Sequence, residues 1–241
     1  MATILVVDDD QNLTDLLRYA LEREGFAVRT THSGREGVAM VREDTPDLIV
    51  LDVTMPDLSG FNVLSVLRTF SRVPVVMLTG RGQEEDIVVG FGHGADDYVA
   101  KPFNVQVLVA RIKAILRRAT HQRGVSAPCR RSYRLGGAVF HPDANEIVGQ
   151  DVSIRLTPTE SHILHLLLVH AGRALSTERL MEQLWGYDAQ SQPNVIKTHI
   201  SYLRAKLARL PQCAQFIQTV PGVGYVVRHT DENDSKLETS A

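Results

Sequence analysis

The 241-residue chain predicts an α/β domain, a doubly wound five-stranded parallel sheet, followed by a smaller α+β domain. Two observations carry this. Across residues 1–118, five short apolar runs alternate with five amphipathic segments, the pattern of successive βα units. From about residue 120 the alternation stops and the charge changes sign. Residues 1–118 hold 13 Lys+Arg and 17 Asp+Glu, net −4, whereas residues 119–229 hold 12 and 7, net +5. An acidic half joined to a basic half divides two tasks, and the basic half suits nucleic acid.

The first half reads element by element. Ile4–Val7, Ala27–Thr31, Leu48–Leu51, Val75–Leu78 and Tyr98–Val99 are too short for helices and rich in Val, Ile and Leu, so they read as strands. Leu13, Leu16, Leu17 and Leu21 recur at helical spacing before Gly25, which is placed to end that helix. Asp10 is a candidate N-cap for it. Helices follow over about Ser33–Glu43, Gly60–Phe70, Glu84–His93 and Asn104–Arg118. Parallel strands joined by right-handed crossovers bring all their C-terminal ends to one edge, where such sheets carry their sites.

Residues 120–132 hold Gly124, Ser126, Pro128 and several Arg without an apolar period, and read as a linker. Beyond it, Tyr133–Phe140, Glu146–Val148 and Val152–Arg155 are strand-like pieces separated by turn residues. Thr157, Pro158 and Glu160 form a helix start with a capping box. Further helices span about Ser176–Trp185 and Asn194–Leu210. Phe216–Val220 and Tyr225–Arg228 flank Pro221-Gly222-Val223-Gly224 as a hairpin. Strands, three helices and a terminal hairpin make a winged helix over 133–229. Residues 230–241, with four acids and one base, read as an acidic disordered tail.

Several function classes drop out. No run approaches the ~20 apolar residues of a transmembrane helix. The first residues lack the basic and long apolar regions of a signal peptide, so a cytoplasmic location is expected. Cys129 and Cys213 have no metal-type spacing. His162 and His165 share a helix face, but no third ligand accompanies them.

The chemistry gathers at strand ends. Asp8 and Asp9 end the first strand, and Asp52 ends the third, its neighbour in a doubly wound sheet. Three adjacent carboxylates either raise one another's pKa or bind a cation, and an open all-oxygen pocket suits Mg²⁺. Thr79 ends the fourth strand with a hydroxyl, and Lys101 follows the fifth with an ammonium. Singly, each acid would more readily be a helix cap. Together, five functional groups on four strand ends make a phosphoryl pocket with a carboxylate nucleophile.

The segments Ile-Leu-Val-Val-Asp-Asp-Asp (4–10), Leu-Ile-Val-Leu-Asp-Val-Thr-Met-Pro (48–56), Val-Val-Met-Leu-Thr-Gly (75–80) and Gly-Ala-Asp-Asp-Tyr-Val-Ala-Lys-Pro-Phe (94–103) resemble receiver domains of two-component response regulators. From about residue 3 to 229 the chain resembles the OmpR/PhoB type, a flavodoxin-like receiver followed by a winged helix. The resemblance implies that Asp52 is the phospho-acceptor for a sensor histidine kinase. It implies that Asp8, Asp9, Asp52 and the Thr54 carbonyl bind Mg²⁺. It makes Lys101 the phosphoryl partner, on a cis peptide to Pro102, and Thr79 with Tyr98 the switch pair. Without the resemblance, Tyr98 would be only a half-buried tyrosine on an edge strand.

In the family, active receivers pair through salt bridges on the fourth helix, fifth strand and fifth helix. Asp97 and Arg111 retain one such pair. Ile87 and Val107 stand where a basic and an acidic residue are usual, so an apolar contact is expected in place of a salt bridge. Gly92 replaces another usual acid and leaves Lys113 without its expected partner. Gly80 stands for a common Ala, which is expected to loosen the loop after Thr79.

In the third helix of the second half, Ile196, Ile200, Leu203 and Leu207 form a core stripe. Asn194, Lys197, Thr198, Ser201, Tyr202, Arg204 and Lys206 lie on its other faces and can reach phosphates and base edges. Composition alone fits a solvated polar face as well; the net charge and the hairpin favour DNA. The resemblance sends this helix into the major groove and the hairpin to the minor groove. It puts Trp185 near the DNA backbone, with core packing as the equal alternative, and makes Gly186–Pro193 an RNA polymerase loop. Ser201 and Pro221 stand where Arg is common, and Arg228 is a candidate replacement for the missing wing cation.

Two other classes compete with a phosphorylation-switched, homodimerising transcription factor. A regulator that binds DNA without phosphorylation conflicts with the complete Asp8, Asp9, Asp52, Thr79 and Lys101 set. A phosphatase of the haloacid dehalogenase type needs a second Asp two residues after the nucleophile, and that position is Thr54. No enzymatic turnover is therefore expected beyond self-phosphorylation from a phospho-donor.

Overall fold

The computed structural model describes residues 1–80, 94–121, 132–186, 194–210, 213 and 215–227. The first half is a five-stranded all-parallel sheet in the order β2-β1-β3-β4-β5. Its strands are β1 (Thr3–Val7), β2 (Ala27–Thr31), β3 (Leu48–Asp52), β4 (Val75–Thr79) and β5 (Asp97–Ala100). The described helices are α1 (Gln11–Arg23), α2 (Gly34–Glu43), α3 (Gly60–Phe70) and α4 (Val105–His121). The expected helix over 84–93 lies outside the described residues.

β1, β3 and β4 read as continuous apolar runs because both faces are covered. Alternate residues separate cleanly. Ile4, Val6, Leu48, Val50, Val76 and Leu78 pack with Leu17, Leu21, Leu108, Ile112 and Ile115 of α1 and α4. Leu5, Val7, Ile49, Leu51, Val75 and Met77 pack with Val41, Leu64 and Leu67 of α2 and α3. Asp10 caps α1, accepting from the backbone N–H groups of Asn12 and Leu13. Leu16, placed in the α1 stripe by its spacing, faces solvent at 50% exposure. The buried row is instead Thr14, Leu17 and Leu21.

The second half opens with a four-stranded antiparallel sheet, β6 (Tyr133–Leu135), β7 (Ala138–His141), β8 (Glu146–Val148) and β9 (Ser153–Arg155). The run expected as one strand from Tyr133 to Phe140 is two, because Gly136, at φ 62°, turns the chain between them. Helices α5 (Pro158–Val169), α6 (Thr177–Trp185) and α7 (Asn194–Leu207) follow, then the hairpin β10 (Ile217–Val220) and β11 (Gly224–Val227). The Thr157–Glu160 capping box is present. All four α7 stripe residues are buried. The family's winged-helix architecture is thus in place, and among the described residues no helix is long and apolar enough to cross a membrane.

The loop after β3 is anchored by contacts distant in sequence. Asp57 accepts from Ser33 Oγ at 2.8 Å and from the backbone N–H groups of Gly34 and Arg35 at 3.1 Å each. It therefore clamps the loop to the start of α2. The bond from the Arg35 N–H leads the hydrogen bonds that lower the Asp57 pKa from 3.8 to about 2. A folded pKa below the unfolded one contributes stability above about pH 4, and that contribution is lost as pH falls towards 2. Asp57→Ala should therefore lower stability by about 1 kcal/mol near neutral pH, the usual scale for a helix-start cap. Urea unfolding of both proteins should show the gap narrowing as the pH is taken to about 3.

Candidate phosphoryl-transfer site and DNA-binding surface

The strand order places β1 beside β3, with Val7 opposite Leu51, so Asp8 and Asp52 emerge side by side. One oxygen from each of Asp8, Asp9 and Asp52 lies within 4.8 Å of the others. Asp8 and Asp52 are buried and Asp9 is exposed, so the cluster opens to solvent on one side. Lys101 Nζ reaches Asp52 at 2.6 Å and Asp8 at 2.7 Å. Its position is set by β5: the Lys101 N–H donates to the Thr79 carbonyl at 2.6 Å, and the Lys101–Pro102 peptide is cis. Thr79 is buried at the end of β4. The Thr54 N–H donates to Asp52 Oδ2 at 2.8 Å, orienting the carboxylate.

Burial pushes the Asp52 pKa up, with the Asp8 charge adding to it, while Lys101 and the Thr54 N–H pull the other way. Burial also works against the Lys101 charge, but its bonds to Asp52 and Asp8 outweigh that and raise its pKa. Two buried carboxylates thus share one ammonium. The donor set is all oxygen and partly open, which fits a hard divalent cation that keeps water ligands.

Gly60 was not singled out from the sequence as a site residue, yet it bounds the pocket from below. A Cβ there would stand 2.1 Å from the Asp52 carbonyl oxygen, so only glycine lets α3 start this close to the acceptor strand. Gly80 is different. Among the described residues, a Cβ there would meet nothing within 4 Å.

The expected dimer-face residues are arranged within one chain. Arg111 holds Asp97 through both carboxylate oxygens, at 3.0 and 2.9 Å, and both residues are buried. The pair is therefore intramolecular here. Lys113, whose usual acidic partner is replaced by Gly92, pairs within the chain with Glu24 at 2.5 Å. Val107 is half-buried, and Ile87 and Gly92 lie outside the described residues. Tyr98 is fully buried, where a half-buried edge position was the reading without the resemblance. It belongs to an apolar cluster that includes residues of both halves of the chain.

On α7, Lys197 and Ser201 are exposed one turn apart, Tyr202 is half-buried and Thr198 is buried. Arg204 is turned to the hairpin: it donates to the Ile217 carbonyl at 3.0 Å and to Thr219 Oγ1 at 2.8 Å. Lys206 pairs with Glu160 at 2.5 Å. Trp185 is buried and stacks on His199, ring centroids 6.2 Å apart, which is the core-packing alternative. The Asn194 side chain, Arg228, 187–193 of the polymerase loop and the tail lie outside the described residues. His162 and His165 have ring centroids 6.4 Å apart, and no metal-type cluster among the described residues includes them.

An acidic cluster at the strand edge of one domain is joined to a winged helix. Residues 4–113 match the family model for the response regulator receiver domain. Residues 149–227 match the model for the C-terminal domain of transcriptional regulatory proteins. The regulatory protein VanRc of Enterococcus gallinarum is 37% identical over 225 residues, covering 93% of this chain and 97% of that protein. The DNA-binding response regulator MtrA of Mycolicibacterium smegmatis is 38% identical over 222 residues, covering 92% and 95%. A solved structure of a cysteine-to-serine mutant of RitR superposes with a TM-score of 0.72 at 26% identity, covering 94% of this chain and 99% of that one. The chain belongs to the OmpR/PhoB-type two-component response regulators, which are DNA-binding transcriptional regulators.

Removing the shared ammonium isolates the cost of the cluster. Lys101→Met should cost about 2–3 kcal/mol, because it leaves buried carboxylates uncompensated. The folded Asp52 pKa, already raised by burial, then loses the Lys101 bond that lowers it, so stability falls as pH rises through that window. Urea unfolding should show a larger deficit near pH 8 than near pH 5.

Proposed function

We propose that Asp52 accepts a phosphoryl group from a sensor histidine kinase and that the resulting charge switches the chain towards dimerisation and promoter binding. The observation that carries this reading is the Lys101 ammonium bridging Asp52 and Asp8 at the mouth of the carboxylate cluster. An Asp52 oxygen attacks phosphorus, the donor's P–N bond breaks, and an acyl phosphate forms. Asp8, Asp9, Asp52 and the Thr54 carbonyl would hold Mg²⁺, which when bound neutralises charge on the transferring group. Lys101 then pairs with a phosphoryl oxygen. The Thr79 hydroxyl turns to donate to another, and Tyr98 follows inward.

Asp97, Arg111, Val107 and Ile87 serve the receiver dimer in this reading. Linking two DNA readers raises affinity through effective concentration. Lys197, Ser201 and Tyr202 of α7 face the major groove, with Asn194, Thr198 and Arg204 beside them, and Arg228 supplies the wing cation. Trp185 supports that surface by packing beneath α7. Gly186–Pro193 meets RNA polymerase. The receiver comprises 1–119, the linker 120–132, the winged helix 133–229 and the tail 230–241. The chain works in the cytoplasm and turns over no substrate; its only chemistry is self-phosphorylation.

Intact mass after incubation with acetyl phosphate and Mg²⁺ tests the reading. Wild type gains one phosphoryl group and Asp52→Ala gains none. No gain in wild type, alongside a receiver that does react, would overturn it in favour of phosphorylation-independent DNA binding.

A further inference from the structure

Lys197, Ser201 and Ala205 are exposed at four-residue spacing along α7, and Arg204, seven residues after Lys197, is rooted on the same face. An arginine there is within reach of the phosphates that border a major groove. Its donors go elsewhere. Arg204 Nε donates to the Ile217 carbonyl at 3.0 Å, and a terminal guanidinium nitrogen donates to Thr219 Oγ1 at 2.8 Å. The guanidinium also stands over the Tyr225 ring, 5.8 Å from its centroid. Thr219 and Tyr225 lie opposite each other in the hairpin. One side chain of α7 therefore holds both β10 and β11. β11 has a second anchor, since Tyr225 exchanges both backbone hydrogen bonds with Leu175, at 2.8 and 2.9 Å. A Cβ on Gly224 would stand 2.0 Å from the Leu175 carbonyl oxygen. Beyond these anchors the tip is uncharged. Pro221, Gly222 and Val223 are all exposed, Val223 at 52%. The Val223 N–H closes the turn on the Val220 carbonyl at 3.0 Å.

We propose that Arg204 is a positioning residue: it braces the wing against the reading helix and delivers an uncharged tip, Pro221 and Val223, to the minor groove beside the α7 contact. The inference rests on the reading that α7 enters the major groove. The planar guanidinium fork sets two hairpin contacts at once, which a lysine ammonium cannot do. Without the brace, Leu175 still holds β11, but the tip is free to swing relative to α7, and ordering it on DNA costs affinity. The chemistry of the tip then selects the DNA. Narrow A-tract grooves attract Arg and Lys through their negative potential, and this tip has no charge to place there. Apolar side chains work in the minor groove by wedging between base pairs, which is easiest at flexible pyrimidine–purine steps. The preferred ligand is duplex DNA with such a deformable step in the minor groove next to the α7 site.

The probe is a duplex enriched from a random-sequence pool by the full-length wild-type chain. Affinity is read by fluorescence anisotropy as salt is raised, and groove occupancy by hydroxyl-radical and dimethyl sulfate footprinting. Each phosphate contact contributes about 0.9 to the slope of log K against log salt. Arg204→Ala should bind about tenfold more weakly, the scale of one lost base-pair contact, with the wild-type slope. Its minor-groove protection on the wing side should disappear while the major-groove protection stays. Arg204→Lys should behave in the same way, because it keeps the charge without the fork. Thr219→Val leaves α7 untouched and should lose the same minor-groove protection; it decides alone if Arg204→Ala lacks the wild-type circular dichroism. Pro221→Arg should raise the slope by about 0.9 and, in a repeated selection, favour A-tracts over the flexible step. A slope that falls by about 0.9 in Arg204→Ala and returns in Arg204→Lys would make Arg204 a phosphate contact and overturn the brace. Wild-type footprints in Thr219→Val, or an unchanged slope and selected sequence in Pro221→Arg, would overturn it too. Lys197→Ala tests the reading beneath the inference: if its slope and major-groove footprint match wild type, α7 does not read DNA and both fall together.

Discussion

Lys101 Nζ lies 2.6 Å from Asp52 and 2.7 Å from Asp8, and the architecture of the first domain holds it there. Buried carboxylates with oxygens within 4.8 Å of each other repel in a low-dielectric setting, and a cation between them offsets that repulsion. The chain supplies that cation from the far end of the domain, 93 residues away in sequence from Asp8. Parallel strands make this possible, since every crossover returns the chain to the same edge. The apolar runs that end at Asp8, Asp52 and Thr79 thereby act as rulers. Each run is buried on both faces, and the first polar residue after it lands in the pocket.

The same cation makes the site responsive. One ammonium shared by two acids leaves the pocket net negative, and the acyl phosphate proposed for Asp52 would add charge that has to be met by new donors. Lys101 and Thr79 are adjacent through a 2.6 Å backbone bond, so one cannot reorient without disturbing the other. The opposite end of β5 is locked differently, by Arg111 on Asp97 and by Arg68 and Thr159 on Asp96. A short strand thus has a charged pocket at one end and the domain boundary at the other.

Most of the architecture was legible in the sequence, and the reason is local. Strands buried on both faces appear as uninterrupted apolar runs, so their ends, and with them Asp8, Asp52, Thr79 and Lys101, were read within a residue or two. The Thr157–Glu160 capping box and the α7 stripe have fixed spacing and were read equally well. What was missed depends on approach between distant segments. Asp57 clamps α2 from 22 to 24 residues away, and Gly60 is required by the Asp52 backbone. Thr159 meets Asp96 across 63 residues. None of these has a period or a motif of its own. The Gly136 turn was overlooked because one glycine pair between apolar residues looks like a strand interior. Leu16 shows the reverse error: its spacing placed it in the buried stripe, and the packing leaves it in solvent.

Sedimentation velocity of the full chain with and without beryllofluoride and Mg²⁺, for wild type and Asp52→Ala, tests the central claim most directly. Beryllofluoride binds a carboxylate as a phosphoryl mimic and needs no kinase. If the charge balance around Lys101 controls the β5 face, wild type converts from monomer to dimer and Asp52→Ala remains a monomer in both conditions. Equal sedimentation of wild type in the two conditions, with the mimic bound, would contradict it.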